Sequence, residues 1–233
     1  MLIREFCAEN MTLVPAAIRA GAQRIELCDN LAVGGTSPSY GVLRAAVFYA
    51  RERHVGVMAM CRPRGGDFVY NERERTMLCD DIRCARTVGA TGVVFGCVRP
   101  SDSDGRPILD LELTKRLVEE AKGLGREDAY GTPAVRVTFH MAFDELGERD
   151  CLAAIDELAR LGVERILTHG GRAGTPIEQN LDRLAELVSY AAGRITILPG
   201  GGITWKNAEA VTAKLGVNEV HGTKVVRLES TEP

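Results

Sequence analysis

Cys7 and Cys28 each sit near the end of a short apolar run, REFCAE (4–9) and RIELCD (24–29), and each follows a glutamate two positions back, Glu5 and Glu26. Side chains alternate along a strand, so each cysteine shares a face with its glutamate. On neighbouring strands about 4.8 Å apart, the two sulfurs stand at matching depths on one face. Two thiolates in near-linear array suit Cu(I), a soft ion. The same two residues also fit a role as small buried fillers, because free cysteine is among the most buried residue types. Cys61, Cys79, Cys84, Cys97 and Cys151 read as structural.

A second chemistry is available at the ends of other runs. His140 closes VRVTFH (135–140) and His221 lies in EVHGT (219–223). Both can move protons near neutral pH, with Glu26 and Asp144 as carboxylate partners. An enzyme built here would use Glu26, His140, Asp144 and His221. Arg62 and Arg64 flank Pro63, and paired guanidiniums suit a carboxylate or phosphate. Gly200, Gly201 and Gly202, with Gly222 and Thr223, offer backbone N–H groups to an anion beside a helix start at Trp205. Thr138 and Thr168 end neighbouring runs and complete this ligand-binding set. The glycines also fit tight turns, and Asp67 also fits as an anchor for its own glycine-rich loop.

These residues need elements to position them. Eight strand-length runs recur: 4–9, 24–29, 56–62, 92–98, 135–140, 165–170, 195–200 and 219–223. Helical patterns lie between them over 12–20, 72–88, 111–122, 151–161, 177–192 and 205–215. Three helices run into a strand through the same kind of ending, Val88-Gly89-Ala90, Leu161-Gly162-Val163 and Leu215-Gly216-Val217. The chain therefore reads as an α/β protein, one (β/α)8 TIM barrel over 1–233. An open doubly wound sheet would favour GxGxxG after the first strand, and Glu9-Asn10-Met11 offers none. About ten residues follow the last strand, so the eighth helix is short or missing. That leaves Val220 and Gly222 thinly covered, which predicts a homo-oligomer, most simply a dimer.

In such a barrel the outer face packs on helices and is apolar. Glu5, Cys7, Glu26, Cys28, Arg62, Arg136, Thr138, His140, Glu219, His221 and Thr223 then point inward. Buried carboxylates need partners, and Arg62 and Arg136 are the expected cations for Glu5 and Glu26. The C-terminal ends of the strands are where barrel function sits.

Composition narrows the class. The chain has 233 residues, 45% hydrophobic and 26% charged, with net charge −3. It shows no basic stripe for nucleic acid and no apolar run near the ~18 residues of a membrane span. The first ten residues, MLIREFCAEN, carry acids where a signal peptide needs its apolar stretch. The seven cysteines are odd in number and lack a CxxC pair, which fits reduced thiols in a cytoplasmic protein and excludes zinc knuckles.

Several segments, taken in order, resemble one family. They are IELC (25–28), GGTSPS (34–39), RPRGGDF (62–68), VFG (94–96), VTFH (137–140), AFD (142–144), LT (167–168), PGGGI (199–203) and EVH (219–221). Together they are similar to the CutC family, the copper homeostasis proteins. The resemblance implies a cytosolic TIM barrel, often oligomeric, with Cu(I) bound by the cysteines that correspond to Cys7 and Cys28. Three positions depart from the family pattern. Met141 stands where an arginine is usual, His169 where a serine is usual, and Gly222-Thr223 where Ser/Cys-Ser is usual. The mouth thereby loses one positive charge and gains one imidazole. The alternative is a barrel enzyme or sensor for a small anionic metabolite bearing phosphate or carboxylate.

Overall fold

The structure is a computed structural model and describes residues 1–124, 132–171 and 174–228. Eight parallel strands form the barrel wall: β1 (Ile3–Glu9), β2 (Arg24–Cys28), β3 (Gly56–Met60), β4 (Gly92–Phe95), β7 (Arg136–Phe139), β8 (Arg165–Thr168), β9 (Thr196–Pro199) and β10 (Glu219–Gly222). A small antiparallel hairpin, β5 (Val98–Pro100) and β6 (Pro107–Leu109), leaves the wall after β4. Hydrogen-bonded order around the wall is β10-β1-β2-β3-β4-β7-β8-β9. β9 lies beside β10, and their seam is finished above the strands, where Thr204 bridges Lys224 and the Trp205 N–H donates to the Lys224 carbonyl (2.7 Å).

Among the described residues seven α-helices pack outside: α1 (Val14–Arg19), α2 (Tyr40–Arg51), α3 (Glu72–Val88), α4 (Leu111–Lys122), α5 (Glu148–Arg160), α6 (Leu181–Ala191) and α7 (Ala208–Leu215). Local chemistry fixes several ends. Asn71 and Glu74 form a capping box at the start of α3, and Asp110 accepts the Leu113 N–H at the start of α4, each satisfying donors that the first turn leaves open. α2 is an element the sequence reading passed over. Its signals are present: Ser39 caps it, and Leu43, Ala46, Val47 and Ala50 form a buried stripe.

The wall separates two interiors. Outside it, Phe6, Ile25, Leu27, Phe95 and Phe139 join the helices' apolar faces in the main core. Inside it, Cys7, Cys28, Met58, Met60 and Val94 form a separate small cluster. Among the described residues no helix follows β10. The tail turns back instead, and Val225 and Val226 are buried with Val220, which is fully covered. Val220 and Gly222, expected to be thinly covered, are thus buried within the single chain, and positions 229–233 lie outside the described residues. No helix among the described residues is long and apolar enough to cross a membrane.

Candidate metal centre

The inward face builds upward from an ionic floor. Arg24 donates to Glu5 and, at 2.7 Å, to Glu219. Arg165 donates to the same Glu219 oxygen at 2.7 Å. These four buried charges neutralise one another, which is the condition for burying them at all. The expected neutralisers stand elsewhere. Arg136 is exposed at the start of β7. Arg62 lies beyond β3, with its guanidinium on backbone carbonyls. Arg24 and Arg165 take the role because they share the parity of the inward residues on their own strands, one step below Glu26 and Leu167.

Above the floor, Glu5 accepts from His221 Nδ1 (2.8 Å). That contact aims Nε2 of His221 at Glu26, 3.6 Å away. No guanidinium forms an ion pair with Glu26 among the described residues; His221 is its charged neighbour. Burial pushes Glu5 up, but Arg24 and then His221 outweigh it and carry its carboxyl down to about 2. Glu26 has no such cation to itself, and burial pushes it well above the usual carboxylate range. His221 is opposed by burial, yet Glu26, Cys7 and Glu5 together raise it well above an ordinary imidazole.

Cys7 completes the group. A Cys7 sulfur, a Glu26 oxygen and a His221 nitrogen all lie within 4.8 Å of one another. Strand register pairs Cys7 with Glu26 and Cys28 with Glu9, so the two cysteines are diagonal rather than level, a correction of two residues along the strand. Their side chains still meet. Both belong to one buried cluster, and the Cys28 thiol, helped by His221, holds Cys7 well below the usual thiol range against the effect of burial. Cys28 Sγ is also 3.5 Å from Glu26 Oε2, and its own thiol is pushed well up, by Cys7 and by burial. The result is one thiolate-prone and one protonated sulfur, an imidazole and two thioethers, all buried, a donor set for a soft monovalent cation.

The sequence model of the CutC family matches residues 2–226. The chain belongs to the CutC family. It is 52% identical to a CutC family protein of Enterococcus faecalis over 97% of this chain and 100% of that one. It is 39% identical to the mouse copper homeostasis protein cutC homolog, over 94% of this chain and 72% of that one. A crystal structure from Streptococcus agalactiae, titled as a copper homeostasis protein CutC, superimposes with a TM-score of 0.87 at 39% identity, covering 97% and 100% of the two chains.

In this CutC barrel the remaining expected residues divide into two groups. His140 is on the inner wall; its Nδ1 accepts the Ala142 N–H at 3.1 Å, and its ring lies against Phe68. Thr138 is below it, also facing inward. Thr168 faces outward instead, donating to Asp144, which also accepts the His169 N–H at 2.9 Å. Asp144 therefore holds the loop after β8 and stands apart from Glu26 and His221. Arg64 is taken up by Glu74 (2.6 Å) and Asp67 (3.0 Å), and Asp67 ties its own loop through the Val69 N–H. Gly200 faces the mouth, near His221 and Met141, while Gly201 packs on His169 and Gly202 on Ile177. Gly222 lies inside β10, pressed on the Ile203 carbonyl. The imidazole gained at His169 bridges the Gly200 carbonyl (3.1 Å) and Thr175 (3.0 Å), so it staples two loops.

Proposed function

We propose that this CutC protein binds one Cu(I) ion at Cys7 and Cys28, with His221 as the neighbouring nitrogen donor and Cu(I) as its cargo. Two observations carry this reading: both thiols share a buried cluster with Met58, Met60 and Val94, and Cys7 converges with His221 and Glu26 within 4.8 Å. Hard divalent ions need several oxygen ligands or water, and among the described residues Glu26 is the one oxygen donor of the converging group. Loading displaces the protons carried by Cys28 and His221, so affinity rises with pH. Competition against a Cu(I) chelator tests it. The unaltered chain is expected to retain one equivalent, and the Cys7→Ser, Cys28→Ser double variant to lose at least 100-fold in affinity. Equal affinity of the two proteins would reject the reading.

A second reading, a barrel enzyme or sensor for a small anionic metabolite, rests on a different observation. Glu26 Oε1, Thr138 Oγ1 and His140 Nε2 are buried without a hydrogen-bond partner, and buried polar atoms ordinarily have one. A small molecule bearing carboxylate or phosphate beside His221 would supply partners. Crystals soaked in phosphate test it: density inside the mouth supports it, and density confined to the outer surface rejects it.

A further inference from the structure

We propose that Arg62 is a positioning residue that clasps the segment Leu31–Gly35 over the two thiols, and so sets how fast a soft cation or a thiol reagent reaches them. The metal half of this statement rests on the Cu(I) reading above; the thiol half stands without it.

The segment is a lid in direct contact with the sulfur site. Leu31 packs against the Cys7, Cys28 and Met60 cluster. Gly35 lies so close to Cys28 that a Cβ there would fall 3.2 Å from the sulfur, and the backbone at Gly35 has φ +87°. Cys28 is consequently fully buried and Cys7 only 7% exposed, although both stand at the open end of the barrel.

Arg62 supplies the clasp. Its Nη1 donates to the carbonyls of Val33 and Gly35, both at 3.0 Å, and its Nη2 to that of Gly66 at 2.7 Å. The guanidinium lies over the Phe68 ring, 4.7 Å from its centroid. One planar side chain thus joins the lid to the loop after β3. No carboxylate forms an ion pair with it among the described residues, and its Nε is buried without a hydrogen-bond partner, so Nη1 serves the lid and Nη2 the loop after β3 rather than a charge partner. A lysine brings a single compact ammonium and cannot reproduce that fork.

The lid's base is held separately. Asp29 and Thr36 exchange main-chain hydrogen bonds at 2.9 and 2.7 Å, and the Ser37 N–H donates to the Arg62 carbonyl at 2.9 Å. Ser37 Oγ also accepts the Arg62 main-chain N–H at 2.8 Å. Loss of the side chain therefore frees the lid and leaves its anchor and the barrel in place.

The test is mass-spectrometric mapping of iodoacetamide labelling in the full-length protein. Arg62→Met is expected to accelerate labelling of Cys28 at least tenfold and Arg62→Lys by a smaller factor, with Cys97 and Cys151 unchanged as internal controls. Gly35→Ala, which pushes the lid off the sulfur without altering Arg62, is expected to move Cys28 in the same direction. If Arg62→Met does not fold, the other two variants decide. Unchanged Cys28 labelling in the variants that fold overturns the proposal, as does equal acceleration at every buried cysteine, which would mean general loosening. In the metal arm, protein loaded with Cu(I) from its acetonitrile complex should pass copper to a chelator at least tenfold faster after Arg62→Met. Failure of the unaltered protein to bind Cu(I) rejects the copper reading alone, and the labelling result still decides the clasp.

Discussion

His140 provides a quantitative check on how dry the barrel mouth is. Its ring is only 4% exposed, its Nδ1 is committed to the Ala142 N–H, and the Arg62 guanidinium is nearby. Burial first, and the Arg62 charge second, depress its protonation to about 3 from an ordinary 6.5. In the unfolded chain the imidazole takes a proton below about 6.5. The folded state does not follow until about pH 3. Across that window the unfolded state binds more protons, so stability falls as pH falls. At 1.36 kcal/mol per pH unit, the loss attributable to His140 reaches about 3 kcal/mol at pH 4 and about 4 kcal/mol at pH 3, where the folded state begins to take the proton as well. His140→Asn keeps an acceptor for the Ala142 N–H and removes the titration. Its packing defect is present at both pH values and cancels in the difference. Equilibrium urea unfolding at pH 7 and pH 4 is the assay. The unaltered protein is expected to lose about 3 kcal/mol more than the variant between those two conditions. Equal losses would refute the reasoning and mean that the imidazole is hydrated or already charged.

Two further outcomes follow from the barrel floor. Arg24→Met leaves Glu5 and Glu219 facing each other with one cation fewer and should lower stability by about 3–5 kcal/mol, read as a fall in thermal midpoint; a change under 1 kcal/mol would mean the floor is open to water. Gly92→Ala places a Cβ 2.6 Å from Met58 Sδ and 2.7 Å from the Arg136 carbonyl oxygen, an overpacking expected to cost about 1–3 kcal/mol. Trimming Met58 to Ala in the same chain should recover only part of that loss, because the carbonyl contact remains.

Strand and helix positions were legible wherever apolar runs ended on a strong local signal. α3 and α4 begin on side-chain caps, and their spans, Glu72–Val88 and Leu111–Lys122, match the sequence reading. α5 starts earlier than expected, at Glu148 behind Gly147 rather than at 151, since a glycine in extended backbone can also begin a helix. The inward placement of Cys7, Glu26 and His221 followed from alternation alone. Their partners did not. The parity that turns Glu26 inward also turns Arg24 inward, but Arg24 stands at the edge of its run and resembles a surface flank. Arg62 seemed suited to an external anion because side-chain type shows how many donors a residue has and says nothing of where they go. Its carbonyl partners come from two loops, and loop contacts leave no periodicity to read.

The floor and the mouth are one electrostatic unit. Arg24 and Arg165 fix Glu219 and Glu5, and Glu5 in turn orients His221 through Nδ1. Only then does Nε2 face Glu26 and Cys7. Partners behind a ligating imidazole set its orientation and basicity, so the reactivity of the sulfur at the mouth depends on arginines two or more residues deeper in the barrel. That dependence accounts for a barrel interior this polar. An apolar floor would be easier to bury, but it would leave Glu5 unpaired and His221 without a fixed orientation, and Cys7 would lose the cation that favours its thiolate. The ionic floor thus acts on the thiols through His221, just as the lid acts on them through Arg62. One controls the charge of the site and the other its access.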